Sequence, residues 1–284
     1  MGMWNEIRYV SRSTASSIRN GGVKETAKTA RNYFAFNVLQ AKSDFTQQRF
    51  RLSEALAQQF NYTVRYGPFA GMSLNRESWW SAADRGAMML GIYEQEVLEA
   101  LGSLSPGRDV LIDVGAADGY YAIGSLKAGW VSHAYCFEMS EAGREVILAN
   151  AKANGVADQV TVLGEADINF LTELVDRHGV KLSRSIIIVD IEGSEFGLLT
   201  QDNLDLLRDS CVIVELHEFD EESRANGDRL INSVSPNFKT SILTTGGRDL
   251  SRFPELDQWP DDDRWMLCSE SRAYRMRWLV MEPT

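Results

Sequence analysis

Five short runs of this chain are apolar with little polar interruption: DVLIDV at 109–114, HAYCFE at 133–138, QVTVLG at 159–164, SIIIVD at 185–190 and CVIVELH at 211–217. Continuous β-rich runs that do not alternate with polar residues suit strands buried on both faces of a parallel sheet. The stretches between them are helical in character and have the length that crossovers between parallel strands require. The pattern therefore predicts an α/β fold built on a doubly wound, mostly parallel, Rossmann-like sheet. A later pair, FKTSILTT from Phe238 and RWMLCS from Arg264, is separated by a Pro- and Asp-containing loop. It is expected to close the sheet with an antiparallel edge.

Upstream the rhythm is different. Val23, Ala27, Ala30, Phe34 and Val38 recur at three and four in a segment without proline, which predicts a helical N-terminal extension of one or two helices over 1–60. Gly67-Pro68, Gly71 and the pair Trp79-Trp80 mark a loop-rich collar over 61–105, either packed on the core or part of a substrate entrance. Within it, MMLGIYEQEVLEAL from Met88 to Leu101 reads as one helix, and Pro106-Gly107 opens the core domain over 106–284.

Charge narrows the partners. The 284 residues carry a formal net charge of -11, which opposes the phosphate attraction that supplies most nucleic-acid affinity. The first sixty residues are nonetheless basic, with nine Lys or Arg against four Asp or Glu, so the acidity belongs to the body. The basic helices read as a lid or a homo-oligomer contact, with a membrane-surface helix as the sharper alternative. No stretch approaches the ~18 apolar residues of a transmembrane segment. Arg8, Arg12, Arg19 and Lys24 interrupt any leader-like apolar region, and Cys136, Cys211 and Cys268 read as buried strand residues rather than disulfide or metal partners. A cytoplasmic protein is expected.

In open parallel sheets the ligand sits beyond the carboxyl ends of the strands, and here those ends are acidic. The first strand runs into Asp113-Val114-Gly115-Ala116-Ala117-Asp118-Gly119-Tyr120, a turn whose glycines let a ligand approach backbone amides at a helix start. Counted from Gly115, the three-glycine dinucleotide fingerprint fails at Ala117 and Tyr120, and Asp118 would repel a pyrophosphate. S-adenosylmethionine carries an ammonium and a sulfonium and no phosphate, so a carboxylate-rich loop favours it. Asp118 alternatively caps the following helix. Glu138 ends the second strand where such folds place a carboxylate on ribose hydroxyls, and Glu165-Ala166 after the third strand offers an acceptor for an adenine amino group, or a dipole-stabilised helix start.

The fourth and fifth strands end in the groups for chemistry. Asp190 is followed by Glu192 and Glu195, while Glu215 and His217, two apart, share one side of their strand. His217, with an ordinary pKa near ~6.5, suits a general base, or an orienting or structural histidine. Asp190, Glu192, Glu215 and His217 alternatively gather a hard divalent cation, Mg or Mn. Tyr120 and Tyr121 read as packing against the sheet, Asp261 to Asp263 as a solvated loop, and Glu94 as a residue that reaches the cofactor from outside the sheet.

The ordered motifs DVGAADGYYA, FEMSEAG, VDIEGSEFGLL and VIVELHEF resemble FkbM-type methyltransferases over about residues 109 to 219, with DIEGSE as the most specific element. GPFAGM, LGIYEQE and RMRWLVMEP extend the resemblance. It implies S-adenosylmethionine held by the Gly115 turn and Glu138, and methylation of a hydroxyl on a sugar or other small metabolite. Ala117 departs from the commoner GxGxG turn. The competing readings are an inactive methyltransferase-like scaffold, an NAD-dependent dehydrogenase and a nucleic-acid methyltransferase, the last opposed by the acidic body and by the lack of an Asn-Pro-Pro-Tyr motif after the fourth strand.

Overall fold

The computed structural model describes residues 44–80, 82–270, 272 and 275–284, so the helix expected from Val23 to Val38 and most of the basic head lie outside the described residues. The sheet has strands β1 (Val110–Val114), β2 (His133–Phe137), β3 (Val160–Leu163), β4 (Ser185–Val189), β5 (Cys211–Leu216), β6 (Phe238–Thr244) and β7 (Arg277–Pro283). Their order is β3-β2-β1-β4-β5-β7-β6. Strands β1 to β5 are parallel, and β7 runs antiparallel between β5 and β6. The fold is the doubly wound, mostly parallel α/β sheet that the apolar runs predict.

Those runs are uninterrupted because two cores draw on alternate residues of the same strands. Leu111, Cys136, Ile186, Ile188 and Ile213 face one core, and Ile112, Phe137, Ile187, Val189 and Val214 the other. Each such side chain contributes about 1.5–3 kcal/mol by leaving water. The first core is roofed by α1 (Asp44–Gln59), α2 (Arg85–Met89), α3 (Gln95–Leu104), α4 (Tyr120–Lys127) and α5 (Glu141–Ala153). The second is covered by α6 (Phe170–His178), α7 (Glu195–Leu198), α8 (Gln201–Leu206) and α9 (Glu221–Val234). Leu52, Leu56 and Ala57 of α1 and Val64, Phe69 and Met72 of the collar join the first core, so this segment packs continuously with the sheet.

Four expectations are corrected. RWMLCS is not a strand: it belongs to α10 (Asp261–Cys268), which starts after Pro260 and carries Asp261, Asp262 and Asp263 in its first turn. Acidic residues there complement the helix dipole, so this is not a solvated loop, and Cys268 is a buried helix-end residue rather than a strand residue. The antiparallel partner of β5 is instead RWLVMEP, whose Trp278 to Met281 are buried as a continuous apolar run. The segment MMLGIYEQEVLEAL also breaks, between α2 and α3, around Gly91 at φ 64°. A Cβ on Gly91 would stand 2.1 Å from the carbonyl oxygen of Tyr66, so collar backbone crosses there and the helix cannot run through. The break drives Tyr93 and Glu94 toward the sheet's carboxyl rim.

Candidate active site

At the exit of β1 the chain turns at Gly115 (φ 92°), where a Cβ would lie 1.7 Å from the carbonyl oxygen of Asp190. The turn therefore rests directly on the end of β4, and its Gly115 and Ala116 amides donate to the Phe137 carbonyl at 2.9 and 3.0 Å. Ala117 takes a left-handed conformation (φ 48°), and its amide donates to Glu138 Oε2 at 3.1 Å. The other oxygen of Glu138 accepts from the Ser140 amide at 2.7 Å. Burial pushes the Glu138 carboxyl up to about 7, against those two amides.

One cleft of about 1080 Å³, its open mouth included, runs along this rim. Gly115, Ala116, Asp118, Glu138, Glu165, Ala166, Asp190 and Glu192 all line it, together with Trp79, Trp80, Tyr93, Tyr120 and Tyr121. Asp113, Gly119 and His217 lie behind it. Asp113 is buried beneath the turn, where burial pushes it up to about 7 and one carboxylate oxygen has no hydrogen-bond partner. Gly119 caps α4 in a left-handed conformation, with Ile123 and Ile147 where its Cβ would be. Asp118 caps no helix: its carboxylate accepts from the Ser78 hydroxyl, from the Trp79 amide at 2.8 Å and from the Trp80 amide at 3.4 Å. That bonding fixes the two tryptophans as one wall, so the collar is both packed and part of the entrance.

The other end of the cleft is a charge cluster. His217 is 3% exposed, with its Nε2 3.6 Å from Asp190, 3.6 Å from Glu192 and 3.3 Å from Glu215. Glu195, wholly buried, accepts the His217 amide at 2.8 Å and the Gly193 amide at 2.9 Å, and lies 3.4 Å from Nδ1. Burial disfavours the imidazolium, but Glu215, Glu195 and Glu192 outweigh it and hold His217 well above the ordinary histidine value. The ring that the sequence offers as a general base is thus held among four carboxylates at the rim. Burial, then Glu215, pushes Asp190 well up.

Two groups outside the expected site complete the cluster. Glu94, left-handed at φ 46°, is buried and accepts the Tyr121 hydroxyl, and burial raises its carboxyl strongly. Arg272 donates to Glu94, Glu215 and Glu270, so one guanidinium neutralises the wall behind Asp190. Glu94, expected to reach the cofactor from outside the sheet, stands instead behind the cleft lining, bonded to Tyr121 and Arg272. Nothing in the sequence around Arg272 distinguishes it from Arg275 or Arg277.

No protein-family model matches the chain, and no curated protein matches it in sequence. Among solved structures it is similar to precorrin 8w decarboxylase of Methanobacterium thermoautotrophicum, at 17% identity over 68% of this chain and 91% of that one, with a TM-score of 0.43. A candidate O-methyltransferase of Klebsiella pneumoniae is 12% identical over 91% and 97%, TM-score 0.46. A candidate tRNA methyltransferase of Streptococcus pneumoniae in complex with S-adenosyl-L-methionine is 16% identical over 66% and 73%, TM-score 0.40. Likenesses at this level carry no argument about chemistry.

Proposed function

We propose that the chain is an S-adenosylmethionine-dependent methyltransferase acting on a hydroxyl of a sugar or other small metabolite, in keeping with its FkbM-like motifs. The observation that carries this reading is the charge of the cleft. Among the described residues its lining holds Asp118, Glu138, Glu165, Asp190 and Glu192 and no lysine or arginine. Such a wall repels the pyrophosphate of a dinucleotide and attracts a nucleoside bearing ammonium and sulfonium charges. Glu138 retains lone pairs beyond its two amide bonds for ribose hydroxyls, and Glu165 and Ala166, the expected partners of an adenine edge, line the same cleft.

Bound S-adenosylmethionine supplies the methyl group. The protein's contribution is alignment and proton removal. Trp79, Trp80, Tyr93 and Tyr121 supply the aromatic lining of the same cleft that Asp190 and Glu192 line. Asp190 and Glu192 line the cleft on the acceptor side, with His217 set directly behind them.

Calorimetric titration with S-adenosylmethionine, S-adenosylhomocysteine and NAD tests the reading. Micromolar binding of the first two and none of NAD, followed by turnover in a panel of sugars and small hydroxyl metabolites, is the expected result. A folded chain that binds none of them is no methyltransferase; binding without turnover across the panel favours a scaffold.

A further inference from the structure

His217 is the one imidazole set against this cluster, and it is unsatisfied. Its Nδ1 is buried without a well-formed hydrogen bond, with Glu195 3.4 Å away. Its Nε2 points among Asp190, Glu192 and Glu215 at 3.3 to 3.6 Å, and the two carboxylates at 3.6 Å stand beyond hydrogen-bond range. Donor atoms about 2.0–2.2 Å from one ion lie about 3.0–3.6 Å from one another, so this spacing is that of ligands around a cation. One donor atom each from Asp190, Glu192 and His217 falls within 4.8 Å of the others. Side-chain exposures of 25% and 35% place Asp190 and Glu192 at the edge of the cleft, where an ion would meet the acceptor.

A second set of carboxylates, Glu94, Asp190 and Glu215, is equally close. Arg272 already donates to two of its three members, so that set has its counter-charge. No arginine or lysine forms an ion pair with Asp190 or Glu192 among the described residues; His217 is the cation beside them, and Arg272 acts on Glu192 only from farther off.

We propose that Asp190, Glu192 and Nε2 of His217 bind one divalent cation, manganese or magnesium, which holds the oxygen of the acceptor hydroxyl. Two carboxylates and one imidazole are the donor set that hard or borderline divalent ions accept, with positions left for water and substrate. Its role rests on the methyltransferase reading. The ion draws electron density from the acceptor oxygen, whose proton leaves to the partly exposed Glu192 and on to water. Such a site selects acceptors whose reactive hydroxyl has an oxygen neighbour able to bind the same ion. The ion and the imidazolium proton are alternative ways of neutralising the same carboxylates.

Manganese titration of the full chain, followed by loss of the free-ion paramagnetic resonance signal, tests the site without needing activity. One saturable ion per chain is expected, displaced by magnesium and weakened about a hundredfold in His217→Ala and about tenfold in Glu192→Gln. Calorimetry with S-adenosylhomocysteine on the same samples checks the fold and the cofactor site separately. A chain that binds S-adenosylhomocysteine but no manganese, or binds manganese equally in both variants, overturns the proposal. Saturable manganese binding without S-adenosylhomocysteine binding supports the ion site and sinks the methyltransferase reading instead. His217→Gln, closer in shape, replaces His217→Ala should the latter fail to fold.

Discussion

The two ends of the cleft are built in different ways. Around Gly115, Glu138 and Glu165, functional groups follow directly on strand ends, and Glu138 is held by backbone amides two residues ahead and 21 residues behind. Around Asp190 and His217 the groups arrive from remote segments, and Arg272 reaches Glu215 across 57 residues and Glu94 across 178. The first end depends on local turns and tolerates a lost charge. The second is a balance of buried charges, in which removing one member leaves the others uncompensated.

That contrast predicts the largest effect at Arg272. Arg272→Ala strands Glu94 and Glu215 in the interior, and urea unfolding should show a loss of about 3–5 kcal/mol. A loss below 1 kcal/mol, by the same scale, would mean that the charges relax into water and the contrast is false. At the other end, Glu138→Ala leaves two amides without an acceptor and should cost only about 1–2 kcal/mol in unfolding, and about 2 kcal/mol, or roughly thirtyfold, in S-adenosylhomocysteine affinity by calorimetry.

The pH dependence sharpens the same point. Glu138 sits at about 7 in the free chain, and ribose hydroxyls donate to its ionised form. Cofactor affinity should therefore fall about tenfold per unit as pH drops below 7 and level off above it, while Glu138→Gln flattens the curve. Asp113 acts on stability with its own sign. Its folded value is raised to about 7, so its contribution is fully present below about 4 and is lost as pH rises through 7. Asp113→Asn should remove a slope of about 1.4 kcal/mol per pH unit between about 4 and 7, roughly 4 kcal/mol in all, in chemical unfolding. The smallest effect is expected at Asp118→Ala. It frees Ser78 and the Trp79 amide, costs about 1 kcal/mol of stability and raises the acceptor KM more than it lowers kcat.

Much of this architecture was legible because it is local. A run such as Ile186 to Val189 has one solution when both faces are buried, and a carboxylate at its end must sit on the rim where ligands bind. RWMLCS misled because a short apolar run has no decisive period, and Pro260 with three aspartates made it a helix. The partners of Glu94 escaped because the helical pattern from Met88 runs smoothly through Gly91. Only the crossing of Tyr66 backbone, 25 residues upstream, forbids that helix.

The amino-acid order alone thus settled the five parallel strands, their shared acidic rim and the turn at Gly115, since each follows from neighbours in the chain and from burial. It could not settle the last strand, the use of Asp118 to anchor the collar, or the pairing of Arg272 with Glu94. Those depend on Coulomb and hydrogen-bond terms that fall off over a few ångströms, between groups that only folding brings that close.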